Sequence, residues 1–179
     1  MAVFARASED RLQRLARDLE AVIGHDRARQ ERERQIETLR RQSAADLFAI
    51  CRRFVARLNG LLTTTAADIT PLEFSVKGFD EQPMQLVQIN VSGRVIQFTY
   101  QATPDLETTE DFRHPYTLEG SVRWFNQLMI ERDDVRDHKL FCVINGDVGE
   151  WRYMDSNSRK GGPVDEDYLI CLLEELIER

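Results

Sequence analysis

Residues 84–101, MQLVQINVSGRVIQFTYQ, constrain the fold more than any other stretch of the chain. A two-residue turn at Ser92 and Gly93 places Val91 opposite Arg94 and sets the register of two antiparallel strands. Side chains alternate between the two faces of a sheet. One face then holds Val87, Ile89, Val91, Ile96, Phe98 and Tyr100, and the other holds Gln88, Asn90, Gln97 and Thr99. The hairpin therefore predicts an antiparallel sheet with one face toward a core and one toward water.

A long helix is predicted before the sheet, from residue 9 to about residue 60, with Ser8 as its N-cap. Apolar residues at 3-4-3 spacing form a stripe along its first part, and apolar positions resume after a charged segment. These positions are Leu12, Leu15, Leu19 and Val22, followed by Ile36 and Leu39. Residues 24–35 (GHDRARQERERQ) interrupt the stripe. Either the helix breaks at Gly24 and His25 and folds back, or one long helix has a solvated middle.

Further strands are predicted on both sides of the first hairpin. After a connector at residues 63–70, PLEFSVKGF (71–79) alternates as a strand would. Residues 117–126 favour a strand over a helix capped by Ser121, because the segment contains a glycine and is rich in β-branched and aromatic residues. Residues 139–155 predict a second hairpin around the loop NGDVG.

A closing helix is predicted from the Asp165 N-cap to about residue 178. One face of this helix holds Leu169, Leu172, Leu173, Leu176 and Ile177, and we expect it to lie across the apolar face of the sheet. The polar segments at residues 103–115, 131–138 and 156–163 are predicted to be loops or connectors.

These elements predict an α+β fold. It combines a long helical N-terminal arm, broken near Gly24 in one of the two architectures, with an antiparallel meander of about five to six strands. The C-terminal helix packs on one sheet face. The division that follows is a helical or coiled-coil arm at residues 1–60 and an α+β globular domain at residues 61–179. A chain of 179 residues is long enough for one such domain and an extension.

No stretch predicts a catalytic, cofactor or metal site. The acidic segment 131–138 contains Arg132 and Arg136, which would oppose a cation. Cys142 lies roughly 13 Å from His138 along an extended strand, so the two side chains cannot meet, and nothing in the sequence brings His114 to Cys142. The glycine-rich segment 158–162 precedes acidic residues where a phosphate would bind. We predict no cofactor, and an enzymatic role is disfavoured.

Aromatic and cysteine side chains are predicted to be structural. Trp124, Trp151 and Tyr153 could stack on a planar ligand, but aromatic residues on a sheet that faces a helix usually belong to the core. The three cysteines, Cys51, Cys142 and Cys171, each lie in an apolar stretch and lack metal-type spacing. They are predicted to be buried, reduced thiols, which indicates a reducing, cytoplasmic location.

Charge and hydropathy narrow the classes of partner. Residues 1–58 hold 13 Arg against 9 acidic residues, a net of +4, and the remainder holds 11 basic against 22 acidic residues, a net of −11. The acidic body and the interleaved acids of the arm disfavour nucleic acid. No apolar run approaches the ~18 residues of a membrane helix.

The stripe is the strongest interaction feature of the sequence. We predict a non-enzymatic protein-interaction module, a homodimer that assembles through Leu12, Leu15, Leu19, Val22, Ile36 and Leu39 and has a possible protein partner. Two alternatives are a chaperone-like adapter that binds another polypeptide at the sheet edge, and a small ligand-binding or enzymatic domain with an unrecognised site.

Overall fold

Seven antiparallel strands form one sheet in simple meander order in the computed structural model, which describes residues 2–81, 83–107 and 114–178. The strands are β1 (Ala67–Thr70), β2 (Gln85–Val91), β3 (Arg94–Glu107), β4 (Tyr116–Phe125), β5 (Arg136–Asn145), β6 (Val148–Met154) and β7 (Gly161–Pro163). The helices are α1 (Ala2–Leu61), α2 (Gln127–Glu131) and α3 (Glu166–Ile177), and Val76–Gly78 forms a single 3₁₀ turn. The predicted α+β class is confirmed, with slightly more strands than expected.

The chain divides into two compact units, Met1–Thr38 and Leu39–Arg179. The described part of the first unit is helix α1 alone. The second unit contains the last turns of α1, the sheet, α2 and α3. This division falls inside α1, whereas the division expected from the sequence follows the end of the helix.

The first hairpin is confirmed residue by residue. Val91 pairs with Arg94, Ile89 with Ile96, and so on to Gln85 with Tyr100. Ser92 and Gly93 form the turn with φ values of +50° and +82°, as a tight right-twisted hairpin requires. The Asn90 side chain accepts a hydrogen bond from the Gly93 amide at 2.9 Å and so fixes the turn. The second hairpin is also confirmed, but its loop is shorter than the predicted NGDVG: Gly146 and Asp147 form a two-residue turn, and Asn145 pairs with Val148.

One face of the sheet carries the core. Helix α3 and residues 44–55 of α1 bury this face, which contains Val87, Ile89, Ile96, Phe98, Tyr100, Leu118, Val122 and Leu140. The closing helix begins at its predicted cap, where the Asp165 carboxylate accepts a hydrogen bond from the Tyr168 amide at 2.9 Å. Leu169, Leu172 and Leu176 face the sheet as expected, whereas Ile177 is exposed.

The opposite face of the sheet, which we call the open face, has no helix packed on it among the described residues. It holds the polar side of the first hairpin, Gln88, Asn90, Gln97 and Thr99, all half-exposed. A separate small apolar cluster lies on this face and consists of Tyr116, Phe141, Val143 and Met154. The open face is therefore mixed in character rather than uniformly polar.

Helix α1 differs from the prediction in two ways. It begins at Ala2, so Ser8 is not its N-cap, and it continues through Gly24 without a break. A single glycine in a helix costs about 1 kcal/mol relative to alanine. Eight of the eleven residues 25–35 are Arg, Glu or Gln, which are good helix formers, so this cost does not end the helix.

The predicted strand at residues 71–79 is wrong. The strand before the hairpin is β1, which lies inside the segment predicted as a connector and ends at Thr70, just before Pro71. Only part of the apolar pattern is buried: the Phe74 ring lies 5.8 Å from that of Phe48 in α1 and 6.1 Å from that of Phe79, whereas Leu72 and Val76 are exposed.

Three predicted loops contain regular structure. Strand β3 continues to Glu107, so the loop expected at 103–115 is shorter; residues 108–113 lie outside the described residues. Strand β7 pairs with β6 within the predicted loop 156–163. Strand β5 begins at Arg136, within the segment predicted as a charged connector. The strand predicted at 117–126 is confirmed, and the Asn126 side chain that follows it caps helix α2.

Candidate functional site

A groove with a volume of about 500 Å³ lies on the open face across strands β3, β4 and β5. Tyr116 and Phe141 form its aromatic floor, with ring centroids 4.9 Å apart. Thr99 and Ser121 line it with hydroxyl groups that share a hydrogen bond of 3.1 Å. The groove thus presents polar groups above a buried aromatic pair.

Charged side chains surround the groove. Arg123 and Lys139 are exposed at its rim, and Glu119 is half-exposed. Lys139 pairs across the strands with Ser121, and Arg123 pairs with Asp137. Two cations therefore stand on neighbouring strands next to the groove, each close to an acid or a hydroxyl group, and the site is mixed in charge rather than strongly basic.

Gly120 lines the groove and lies close to the backbone of β3. A Cβ at this position would lie 1.8 Å from the Thr99 carbonyl oxygen and 2.7 Å from the Tyr100 Cα. Both atoms belong to the backbone of β3, which cannot move away without disturbing the ladder between β3 and β4. Glycine therefore permits the two strands to approach closely here.

His138 lies in an aromatic cluster on the helical face of the sheet. Its ring is stacked 5.2 Å from Tyr153, and the Trp124 ring lies 4.7 Å away. A hydrogen bond of 2.9 Å joins its Nδ1 to the Tyr168 hydroxyl of α3. Burial lowers the pKa of His138 from its ordinary value, although the carboxylates of Asp155, Glu175 and Asp137 oppose this shift. The cluster attaches α3 to the sheet.

Glu175 extends this cluster on α3. Its carboxylate accepts hydrogen bonds from the Trp124 indole at 3.1 Å and from Arg136 at 3.2 Å. Tyr153 and Tyr168 stack with centroids 3.9 Å apart and interplanar angle 10°. The expectation that Trp124 and Trp151 are core residues is confirmed, and Tyr153 is half-buried against the same core.

The other residues considered in the sequence do not converge. Cys142 is buried beside Ser43, and burial raises the pKa of its thiol to about 12, while His114 is exposed. Among the described residues, no three His, Cys, Asp or Glu side chains are grouped as ligands for a metal ion. The glycine-rich segment 158–162 contributes to β7 and to a turn in which the Asp155 carboxylate accepts from Ser158 at 2.6 Å. The expectation that all three thiols are buried is wrong for Cys171, which is exposed.

The apolar stripe of α1 is exposed along the first unit. Leu12, Leu15, Leu19 and Val22 are 52–60% exposed, and Ile23, which the 3-4 spacing omits, is 48% exposed. Ile36 and Leu39 are half-buried. The exposed stripe, as we use the term below, therefore consists of Leu12, Leu15, Leu19, Val22 and Ile23.

No known protein family, curated protein or solved structure matches the chain. Within the described part of the chain, no helix has the length and apolar character needed to cross a membrane. The fold defines the class, an α+β protein with a seven-stranded antiparallel meander and an extended N-terminal helix.

Proposed function

We propose that the protein is a non-enzymatic interaction module that self-associates through the exposed stripe of α1 and presents its open sheet face to another polypeptide. The observation that carries this proposal is the exposure of five large apolar side chains on one helix. An apolar stripe of this size is unusual on a surface that remains in water. Its 3-4 spacing is that of helices that pair with other helices.

The expected strength of this association follows from the exposed side chains. Full burial of one such side chain contributes about 1.5–3 kcal/mol, so side chains already half-buried gain about 1 kcal/mol each. Ten side chains from two copies then contribute about 10 kcal/mol, against an estimated association cost of about 4–15 kcal/mol. At the lowest such cost the net gain is about 6 kcal/mol, so we expect a weak dimer with a dissociation constant of some tens of micromolar.

The open face supports the second half of the proposal. The groove holds hydroxyl groups, two cations and an acid around an aromatic floor. Interfaces are typically built from aromatic anchors and arginine with a polar rim. A polypeptide segment that carries an acidic side chain fits the rim formed by Arg123 and Lys139.

Strand addition at the sheet edge, the alternative from the sequence, is opposed by both edges. At β1 the Asn59 amide donates to the Ala67 carbonyl at 2.9 Å and accepts from the Ala67 amide at 2.6 Å. This side chain occupies the position that a new strand would take. At the other edge, β7 has three residues and ends at Pro163, which has no N–H to donate.

The location that we propose is a reducing compartment such as the cytoplasm. Cys51, Cys142 and Cys171 are all free thiols. Unpaired cysteines are the usual state where glutathione and thioredoxin keep thiols reduced.

Light scattering over a concentration series from about 1 to 300 µM tests the self-association. We expect the mass of the wild type to rise toward that of a dimer and the variant Leu15→Glu/Leu19→Glu to stay monomeric. The matched control is Leu61→Glu/Leu72→Glu, which adds the same charge at two apolar residues that are each 81% exposed outside the stripe. A wild type that remains monomeric throughout, or a control that dissociates equally, overturns the proposal.

A further inference from the structure

Four of the five residues of the exposed stripe are placed symmetrically about residue 17; Ile23 is the exception, because its mirror position is Arg11. Leu12 and Val22 each lie five positions from Arg17, and Leu15 and Leu19 each lie two positions from it. A reversed copy of the helix, centred at the same residue, therefore places Leu12 against Val22 of the partner subunit. It also places Leu15 against Leu19 of the partner subunit. All four apolar layers are matched, and shifting this register by one heptad in either direction leaves two or more leucine or valine layers facing polar or small residues.

A parallel, in-register copy would also match these four layers, but the layers after Val22 would place like charges against each other. In the same register the next positions are Asp26, Arg29 and Glu33. A parallel, in-register pair would place each of these charges against its own copy, and like charges held at a helix interface repel. In the reversed arrangement, Asp26 and Arg29 lie against positions 8 and 5 of the partner subunit, which hold serine and alanine.

We infer that two copies of this chain pair antiparallel along α1, with Leu12, Leu15, Leu19 and Val22 each facing the residue of the partner subunit whose number completes a sum of 34. This inference rests on the proposed self-association. It names the occupant of the stripe as a second, reversed copy of the same helix. The inference is supported by the symmetric placement of the exposed leucine and valine residues and by the positions of the charged residues Asp26, Arg29 and Glu33.

The antiparallel arrangement has one unfavourable contact of its own. Asp18 lies one position from the symmetry centre, and beside the Leu15–Leu19 layers it approaches Asp18 of the partner subunit. In a parallel pair it would instead approach Ile23 of the partner subunit. Removal of this carboxylate by Asp18→Asn is expected to lower the dissociation constant about twofold, since a like-charge pair on a helix surface opposes association by a few tenths of a kcal/mol. A parallel pair predicts no such gain.

Disulfide trapping tests the direction. Cys171 is first replaced by serine, because its exposed thiol could form disulfides of its own. Cys51 and Cys142 are retained, since they are buried and do not compete. Leu12→Cys and Val22→Cys are made separately in this background, one of them with a mass tag, and are mixed in oxidised glutathione. The glutathione disulfide takes up the two electrons, two thiols lose their protons, and one interchain S–S bond forms. We expect the mixed dimer of tagged and untagged chains to form at least tenfold faster than either homodimer.

The control for random collision is Leu72→Cys, an exposed position outside the stripe, in the same Cys171→Ser background. Homodimers from Leu12→Cys alone that form faster than mixed dimers overturn the antiparallel arrangement. Rates no higher than that of Leu72→Cys, in a sample that light scattering shows to be dimeric, also overturn it. A monomeric Cys171→Ser background would instead refute the self-association, so the two failures are distinguishable. Circular dichroism at 222 nm confirms that each variant retains its helix.

Discussion

Arg40 joins α1 to strands β3 and β4, and its replacement by methionine is the most informative test of the fold. Its guanidinium lies 2.6 Å from the Glu81 carboxylate. Nε donates to the Thr117 hydroxyl at 2.6 Å and to the Thr117 carbonyl at 3.2 Å, and Nη2 donates to the Thr103 carbonyl. The side chain is only 11% exposed and that of Glu81 20% exposed. The pair is therefore largely withdrawn from water.

The magnitude follows from this burial. Removal of one partner from a buried, hydrogen-bonded ion pair costs about 3–5 kcal/mol, because the other charge stays buried without its partner. For a unit of this size the loss lowers the midpoint of thermal unfolding by roughly 10–15 °C. Urea unfolding at pH 7 measures it directly through the fluorescence of Trp124 and Trp151, which are both buried.

A second ion pair with the same separation provides the control. The Arg57 guanidinium lies 2.6 Å from the Glu166 carboxylate, but the Arg57 side chain is 73% exposed. Arg57→Met is expected to change the free energy of unfolding by less than about 1 kcal/mol, because solvent screens the pair. In Arg40→Met/Glu81→Met no unpaired charge remains, so about 1–3 kcal/mol of the loss should return. Equal losses for Arg40→Met and Arg57→Met would refute the reasoning that burial, not separation, sets the value.

Three further predictions concern single groups. Burial raises the pKa of the Cys51 and Cys142 thiols to about 12 each. At pH 8 a thiol reagent should therefore modify only Cys171 rapidly in the folded protein, and all three thiols in denaturant. A second thiol that reacts rapidly in the folded protein would contradict this. Burial lowers the pKa of His138, so the imidazole binds a proton more readily in the unfolded chain than in the folded protein. The free energy of unfolding should therefore fall as the pH drops below about 6.5. The variant His138→Phe should flatten this pH dependence of urea unfolding between about pH 5 and 7. A Cβ at Gly24 would meet no atom within 4 Å, so Gly24→Ala should stabilise α1 by about 1 kcal/mol. Circular dichroism at 222 nm should show this as greater helicity. A loss of helicity would contradict the unbroken helix.

The elements that the sequence predicts correctly are those whose partners are close in the chain. The first hairpin depends on alternation over 18 residues and on one turn, and all seven of its pairs are as expected. Helix α3 depends on a cap and a leucine face. The expected burial of Cys171 is wrong because an apolar stretch does not show which side of a helix each residue occupies. At about 100° per residue, Cys171 lies about 200° from Leu169, on the side of the helix away from the sheet.

The candidate site depends on contacts that are distant in the sequence. The Thr99 and Ser121 hydroxyl groups that line the groove are 22 residues apart, and Tyr116 and Phe141 lie on different strands. Both α3 and residues 44–55 of α1 cover the same face of the sheet, and the alternation of the hairpin does not predict that they lie on one face. Ile23 was missed because strict 3-4 spacing excludes the neighbour of Val22, although a helix exposes a broader stripe than a coiled-coil seam.

The polar side chains of the open face explain how that face remains accessible. Gln97 donates to the Gln88 side chain at 3.2 Å, and Thr99 and Ser121 share a hydrogen bond across the next pair of strands. The two side chains of each pair hydrogen-bond to each other in the plane of the sheet. Their amide and hydroxyl groups keep further donors and acceptors for hydrogen bonds to solvent. An apolar layer placed over them would leave these donors and acceptors unsatisfied, at about 1–3 kcal/mol for each group. Any partner that docks here must therefore supply hydrogen-bonding groups above the hydroxyls and reserve its apolar contacts for the aromatic floor at Tyr116 and Phe141.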